Sequence, residues 1–413
     1  MAIKNIFNTI ASVILLLIFL VSCKAPEVPA KADDAGATPE GISAFVSSNN
    51  QFAFDIYSQL SKDDKNVFVS PWSIVAALGM TYEGARGDTA KEIANVFHFT
   101  QTDAERRASF AKIHNEFNER NDNYKLYTAN ALWAQEGYNF LDDYLNTVSK
   151  YYAGKTTNLD FRTKTEESRK TINSWVEGQT NNKIKDLFPQ GTLDPMTRLV
   201  LTNAIYFKGT WVKEFDKDKT TDAPFYKTPS QTVNVPMMQR TDDEARFNYA
   251  ETENLQVLEM PYKGEKLSML VLLPKGDISS LESKLNAENL AQWRSMLNMQ
   301  EVKVYMPKFT FETKYFLKDT LMAMGMPLAF TAGDADFSGM DGTNYLYIDT
   351  VIHQAFVEVN EEGTEAAAAT GVGIKATAIM QENIFRADHP FIFIIQDRET
   401  GNILFMGRMS DPS

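Results

Sequence analysis

The segment from Glu361 to Ile374 limits what this chain can fold into more than any other. It reads Glu-Glu-Gly-Thr-Glu-Ala-Ala-Ala-Ala-Thr-Gly-Val-Gly-Ile and follows a strand-like run, Ala355 to Asn360, while a second apolar run begins at Phe391. Beyond Gly363 the even positions are Thr364, Ala366, Ala368, Thr370, Val372, Ile374 and Ala376, all uncharged. The odd positions, Glu365, Ala367, Ala369, Gly371, Gly373, Lys375 and Thr377, carry both charges. Side chains of a strand alternate between faces, so this segment has one face fit for burial. It lacks the aromatic residues of a strand that is buried from the outset. The alanine tract suits a surface helix equally well, although Gly371 and Gly373 would end that helix after about two turns, too short to be stable alone. Propensity leaves both open; the alternation describes a loop able to become a strand.

At the other end, Lys4 precedes an apolar run from Ile10 to Val21, which is short for a membrane span and leads into Leu20-Val21-Ser22-Cys23. That arrangement predicts a secretory signal over residues 1–22. A small residue before the chain's single cysteine resembles a bacterial lipoprotein signal, which implies cleavage before Cys23 and its lipidation. The resulting expectation is an extracytoplasmic protein held to a bacterial membrane by lipid, at the outer membrane or cell surface rather than the inner membrane. An ordinary signal peptide with an incidental cysteine is the alternative. With one cysteine no intramolecular disulfide can form. Residues 24–41, rich in Ala, Pro, Asp and Glu, predict a solvated tether, and residues 42–413 a single domain. The hydrophobic content of 44% supports a sizeable core. A net charge of −13 argues against nucleic acid and heparin-like ligands as partners.

The chain offers no constellation for catalysis. Its four histidines, His98, His114, His353 and His389, have no metal-ligand spacing, so neither a metal nor a cofactor is expected. There is no Gly-x-Ser-x-Gly elbow and no phosphate-binding Gly-x-x-x-x-Gly-Lys loop. Gly371-Val372-Gly373-Ile374-Lys375-Ala376 fits a loose dinucleotide pattern, but an alanine tract precedes it where a strand is required.

Four separated segments resemble the serpin family. They are Asn66 to Ile74 with its continuation through Gly79-Met80 to Thr89, Leu201 to Trp211, His353 to Thr370, and Ala387 to Phe391 with Gly401 to Arg408. They occur in the family's order and span the chain from about Ile42 onward. The resemblance implies an α+β fold with three β-sheets, eight or nine helices and an exposed reactive loop at about residues 361–385, the largest sheet being able to admit one more strand. By position, Glu361, Gly363, Thr364, Glu365, Ala366, Ala367, Ala368, Ala369 and Thr370 resemble the hinge of that loop. Ser70, Ser73, Asn203 and His353 resemble a polar cluster beneath the point where the sheet parts, and Trp211 the tryptophan where insertion begins.

The implied function is that of a monomeric suicide-substrate inhibitor of serine or cysteine endopeptidases, not an enzyme. Counting 17 residues inclusively from Glu361, the loop length that the resemblance implies, places the scissile bond at Thr377–Ala378, which suits elastase-like or subtilisin-like proteases. Lys375–Ala376, suited to trypsin-like proteases, is the alternative. A non-inhibitory serpin-like carrier or chaperone, a structural surface lipoprotein and a hydrolase are the other readings, in that order.

Overall fold

The computed structural model describes residues 31–119, 123–364 and 382–413. The chain runs α1 (Pro39–Leu60), β1 (Val67–Val69), α2 (Pro71–Tyr82), α3 (Gly87–Val96), α4 (Asp103–Asn118), β2 (Tyr124–Gln135), α5 (Asp142–Tyr152), β3 (Lys155–Leu159), α6 (Phe161–Gln179) and β4 (Leu199–Thr210). Five strands follow: β5 (Thr221–Thr228), β6 (Gln231–Arg240), β7 (Arg246–Glu251), β8 (Leu255–Pro261) and β9 (Leu267–Pro274). After the short α7 (Ile278–Glu282) and α8 (Ala287–Ser295) come β10 (Asn298–Pro307), β11 (Phe309–Phe316), α9 (Lys318–Met324) and α10 (Ser338–Asp341). The chain ends with β12 (Thr350–Val359), β13 (Gly363–Thr364), β14 (Asn383–Arg386), β15 (Phe391–Asp397) and β16 (Ile403–Met409).

These strands form a six-stranded sheet, ordered β11-β12-β4-β2-β3 with β13 also on β4, and a ten-stranded one. The family resemblance implies three sheets; among the described residues there are two. The reason lies in β10, whose first half pairs with β7 while its second half pairs with β6 and β14, welding two ladders into one. Among the described residues ten α-helices stand where eight or nine were implied.

Local chemistry explains the elements that position the site. Ser70 caps α2, its Oγ accepting the Ser73 N–H at 3.2 Å, and Pro71 occupies the first turn, where no N–H is needed. The helix is apolar on every side and is accordingly buried almost throughout. It packs between β2 and β4 of one sheet and β16 of the other. On the opposite face of the six-stranded sheet, α6 covers a separate apolar cluster that includes Trp133, Ile172, Val176, Val200 and Ile352. The last two strands, β15 and β16, form a hairpin, antiparallel from Phe391 opposite Met409.

The predicted tether needs correction where it is described. Ala32 is buried, its N–H donating to Asn115 Oδ1 and its carbonyl accepting from Asn115 Nδ2, both at 2.8 Å. The Asp33 N–H donates to the Lys150 carbonyl (2.7 Å), and Thr38 caps α1. The folded body therefore begins before residue 42. Composition reports on side chains, whereas here the backbone is held by partners on α4 and α5.

Candidate functional site

The central feature is the seam between β12 and β4. The two strands pair in parallel from Thr350 opposite Val200 to Phe356 opposite Tyr206, and there the pairing stops. Above that rung, β13 occupies the mouth, antiparallel to β4, with Gly363 opposite Thr210 and Thr364 opposite Gly209. The chain enters the mouth through a tight reversal in which Asn360 and Gly363 exchange backbone hydrogen bonds of 2.9 and 3.2 Å. Only glycine fits at 363: its φ is +150°, and a Cβ there would lie 2.2 Å from the Gly209 carbonyl oxygen.

The walls of the mouth hold the hinge residues individually. Thr364 is 1% exposed, and its Oγ1 lies 3.0 Å from the Tyr262 hydroxyl. Tyr262 is fully buried and stacks on Trp211, with centroids 4.5 Å apart. Trp211 donates its Nε1–H to the Asn360 carbonyl (3.1 Å) and its backbone N–H to that of Glu362 (2.9 Å). The Glu361 carboxylate is buried against Lys308 Nζ (3.0 Å) and the Thr220 hydroxyl (2.8 Å), and Glu362 pairs with Lys217. Burial pushes the Glu361 carboxyl up, but its own backbone N–H, Lys308 and Thr220 outweigh that and hold it below the usual carboxylate range.

Lower in the seam, the four polar residues picked out in the sequence do converge. His353 on β12 faces Asn203 on β4, which faces Asn130 on β2, so one row of polar side chains crosses three strands. The start of α2 lies against that row. His353 Nε2 accepts the Ser70 backbone N–H at 3.0 Å, which puts the ring proton on Nδ1, where it is donated to Asn203 Oδ1. Burial pushes the His353 imidazole down to about 3, so the ring is neutral. Asn203 Nδ2 lies 2.5 Å from the Ser73 carbonyl, 2.8 Å from Ser73 Oγ and 3.0 Å from Asn130 Oδ1. Ser73 Oγ donates to Asn130 Oδ1 at 3.1 Å. The hydrogen bond between His353 and Asn203 spans the seam itself.

This arrangement is not that of a nucleophilic pair. The Ser70 hydroxyl is committed to the Leu404 carbonyl (2.7 Å) and to capping α2, while the imidazole engages a backbone N–H. Among the described residues, no group of three or more His, Cys, Asp or Glu is placed to hold a metal.

Sequence reasoning missed Asn130, Tyr262, Lys308 and Lys217. Asn130 had a signal, since it is an amide within the strand-like run Thr128-Ala129-Asn130-Ala131-Leu132, as Asn203 is within its own. The two lysines look like ordinary solvated charges until folding sets them beside Glu361 and Glu362. Cys23 and residues 365–381, which include Glu365, Ala366 to Ala369, Thr370, Lys375, Ala376, Thr377 and Ala378, lie outside the described residues.

The six-stranded sheet thus presents a parallel seam with an antiparallel hinge seated at its mouth, above a polar cluster. The chain belongs to the serpin family. The family's sequence model, described as "Serpin (serine protease inhibitor)", matches residues 47–412. A protein of Methanosarcina acetivorans described as an uncharacterized serpin-like protein is 46% identical over 379 residues, covering 89% of this chain and 88% of its own. Human leukocyte elastase inhibitor is 41% identical, with 89% and 99% covered. The crystal structure of uncleaved ovalbumin superposes with a TM-score of 0.83 at 34% identity, covering 89% of this chain and all of its own. Protease inhibition is the activity that the family's description names.

Proposed function

We propose that this serpin is a suicide-substrate inhibitor of serine endopeptidases. The observation that carries the reading is Thr364, already seated and antiparallel in the mouth of a seam that is closed below it. Counting on in that register, Thr370 would stand opposite Asn203, the sixth residue beyond Thr364 against the sixth before Gly209. A hydroxyl would then arrive where the bond between His353 and Asn203 has to break. The cross-strand partner shares the face, so the uncharged parity would enter the interior.

A protease serine attacks the Thr377 carbonyl, an ester forms, and the amine of Ala378 departs with the C-terminal piece. The freed segment then separates β12 from β4 and pairs with both. One parallel ladder is replaced by two antiparallel ones, which are the more stable pairing. Thirteen steps at strand rise carry the tethered enzyme about 45 Å. Dragged against the base of the serpin, the enzyme loses its oxyanion geometry, worth about 3–4 kcal/mol for one donor, and the ester persists.

The small residues around Thr377 fit a narrow specificity pocket, so elastase-like or subtilisin-like enzymes are the proposed targets, with cleavage after Lys375 by a trypsin-like enzyme as the second choice. The leader supports secretion, and Cys23 attachment to a membrane by lipid. The test is to mix the protein with an elastase-like protease. The expected result is an SDS-resistant complex and a released fragment that begins at Ala378. Cleavage without a complex would remove the inhibitory reading.

A further inference from the structure

On the face of the six-stranded sheet covered by α6, the last rung of the seam sets Phe356 against Tyr206. Their rings meet edge to face across the two strands, with centroids 5.8 Å apart. Lys183, in the connection from α6 to β4, holds its Nζ 5.1 Å from the Phe356 ring and 5.8 Å from the Tyr206 ring. The same ammonium lies 3.6 Å from the Glu358 carboxylate on β12. Its backbone is anchored, because the Lys183 N–H donates to the Thr180 carbonyl (3.0 Å) and neighbouring Ile184 is buried beneath α6. A cation within about 6 Å of an aromatic face is attracted to it, and this cation reaches rings from both strands at the first rung that insertion must part.

We propose that Lys183 is a bolt across the seam, a positioning residue that sets how fast β12 and β4 separate and hence how often an attacking protease is trapped instead of released. The proposal rests on the insertion mechanism above. The bolt acts only before insertion. An added strand moves β12 and β4 apart by a further strand spacing of about 4.8 Å and fills the gap between the two rings. The contact is therefore lost in the transition and is not regained in the product, which slows opening without stabilising the inserted form.

The test uses the full-length protein and a synthetic peptide with the sequence of residues 364–377, supplied in excess. Uptake into the seam is followed by native-gel mobility. Lys183→Met, which keeps the aliphatic stem and removes the charge, is expected to take up peptide about five-fold faster than wild type. Lys183→Arg, which restores a cation over the rings, should return the rate to the wild-type value. The loop-cleaved forms of wild type and Lys183→Met should melt at the same temperature, although the intact Met variant melts lower. Equal uptake rates for wild type and Lys183→Met overturn the bolt, as does a cleaved Met variant weakened as much as the intact one. If intact wild type takes up no peptide and loop cleavage leaves its melting temperature unchanged, the insertion mechanism fails, and the bolt with it.

Discussion

Thr364→Arg asks the mouth of the seam to accept a guanidinium where the native side chain is 1% exposed. The partner the site offers is the neutral Tyr262 hydroxyl, 3.0 Å from Thr364 Oγ1. An ionised group buried without a counter-charge costs several kcal/mol even after relaxation. Taking only about 3 kcal/mol of that into the barrier for insertion slows it by about a hundred-fold. Deacylation by water then outruns insertion, and the variant becomes a substrate. Thr364→Val is the informative companion. It keeps the branched shape and strands the Tyr262 hydroxyl, a penalty of about 1–3 kcal/mol that the intact form already bears because Thr364 is seated there, so it should lower stability and leave the stoichiometry close to wild type. The assay is the number of serpin molecules consumed per protease inactivated, read from residual activity across a titration. The Arg variant should need at least an order of magnitude more inhibitor than wild type, with cleaved serpin replacing the SDS-resistant complex on gels. An Arg variant that traps protease with wild-type stoichiometry would refute the argument that this face enters the interior.

His353 gives the native state a defined acid sensitivity. Its pKa is depressed to about 3 from an ordinary 6.5, so the unfolded chain binds a proton that the folded one refuses. Stability should therefore fall as pH drops from about 6.5 toward 3, by up to about 1.4 kcal/mol per pH unit from this group, with no contribution above that window. His353→Gln should flatten the slope in urea titrations across it, and an unchanged slope would contradict the assignment of a neutral buried ring. Asn130→Ala removes the acceptor shared by Ser73 Oγ and Asn203 Nδ2 and is expected to cost about 1–2 kcal/mol in urea denaturation; no change would mean that the amide row is not continuous across β2. Cleavage in the loop by a non-target protease should raise the melting temperature by about 10 °C or more, since new ladders worth several kcal/mol form at a few degrees per kcal/mol. A cleaved form that melts like the intact one would leave no stored energy to drive the mechanism.

Much of the fold was legible because it depends on short-range chemistry. The Ser70 cap with Pro71 behind it fixes where α2 starts, and the apolar runs flanking Gly401 fix the last hairpin. The alternation beyond Gly363 already states which face can be buried, and Thr364 is buried on that parity. His353 and Asn203 were picked out through the resemblance to the serpin family, by position. By contrast, the fusion of two ladders through β10 and the docking of residues 32–34 on α4 and α5 left no local trace, since both depend on which surfaces happen to meet.

The sequence alone determined that a ribbon with one charge-free face, following Gly363, lies near the C-terminal end beside a strand able to pair with it. Only the tertiary structure decided that the seam is shut below Phe356, that Tyr262, 102 residues away, holds Thr364, and that Asn130, 73 residues from Asn203, completes the amide row. It also decided that Lys308, Lys217 and Lys183 are fastenings and not solvated charges. Propensity and alternation are properties of neighbours in the chain. Strand register and charge pairing are properties of neighbours in space, and chain order does not list those until the sheet has closed.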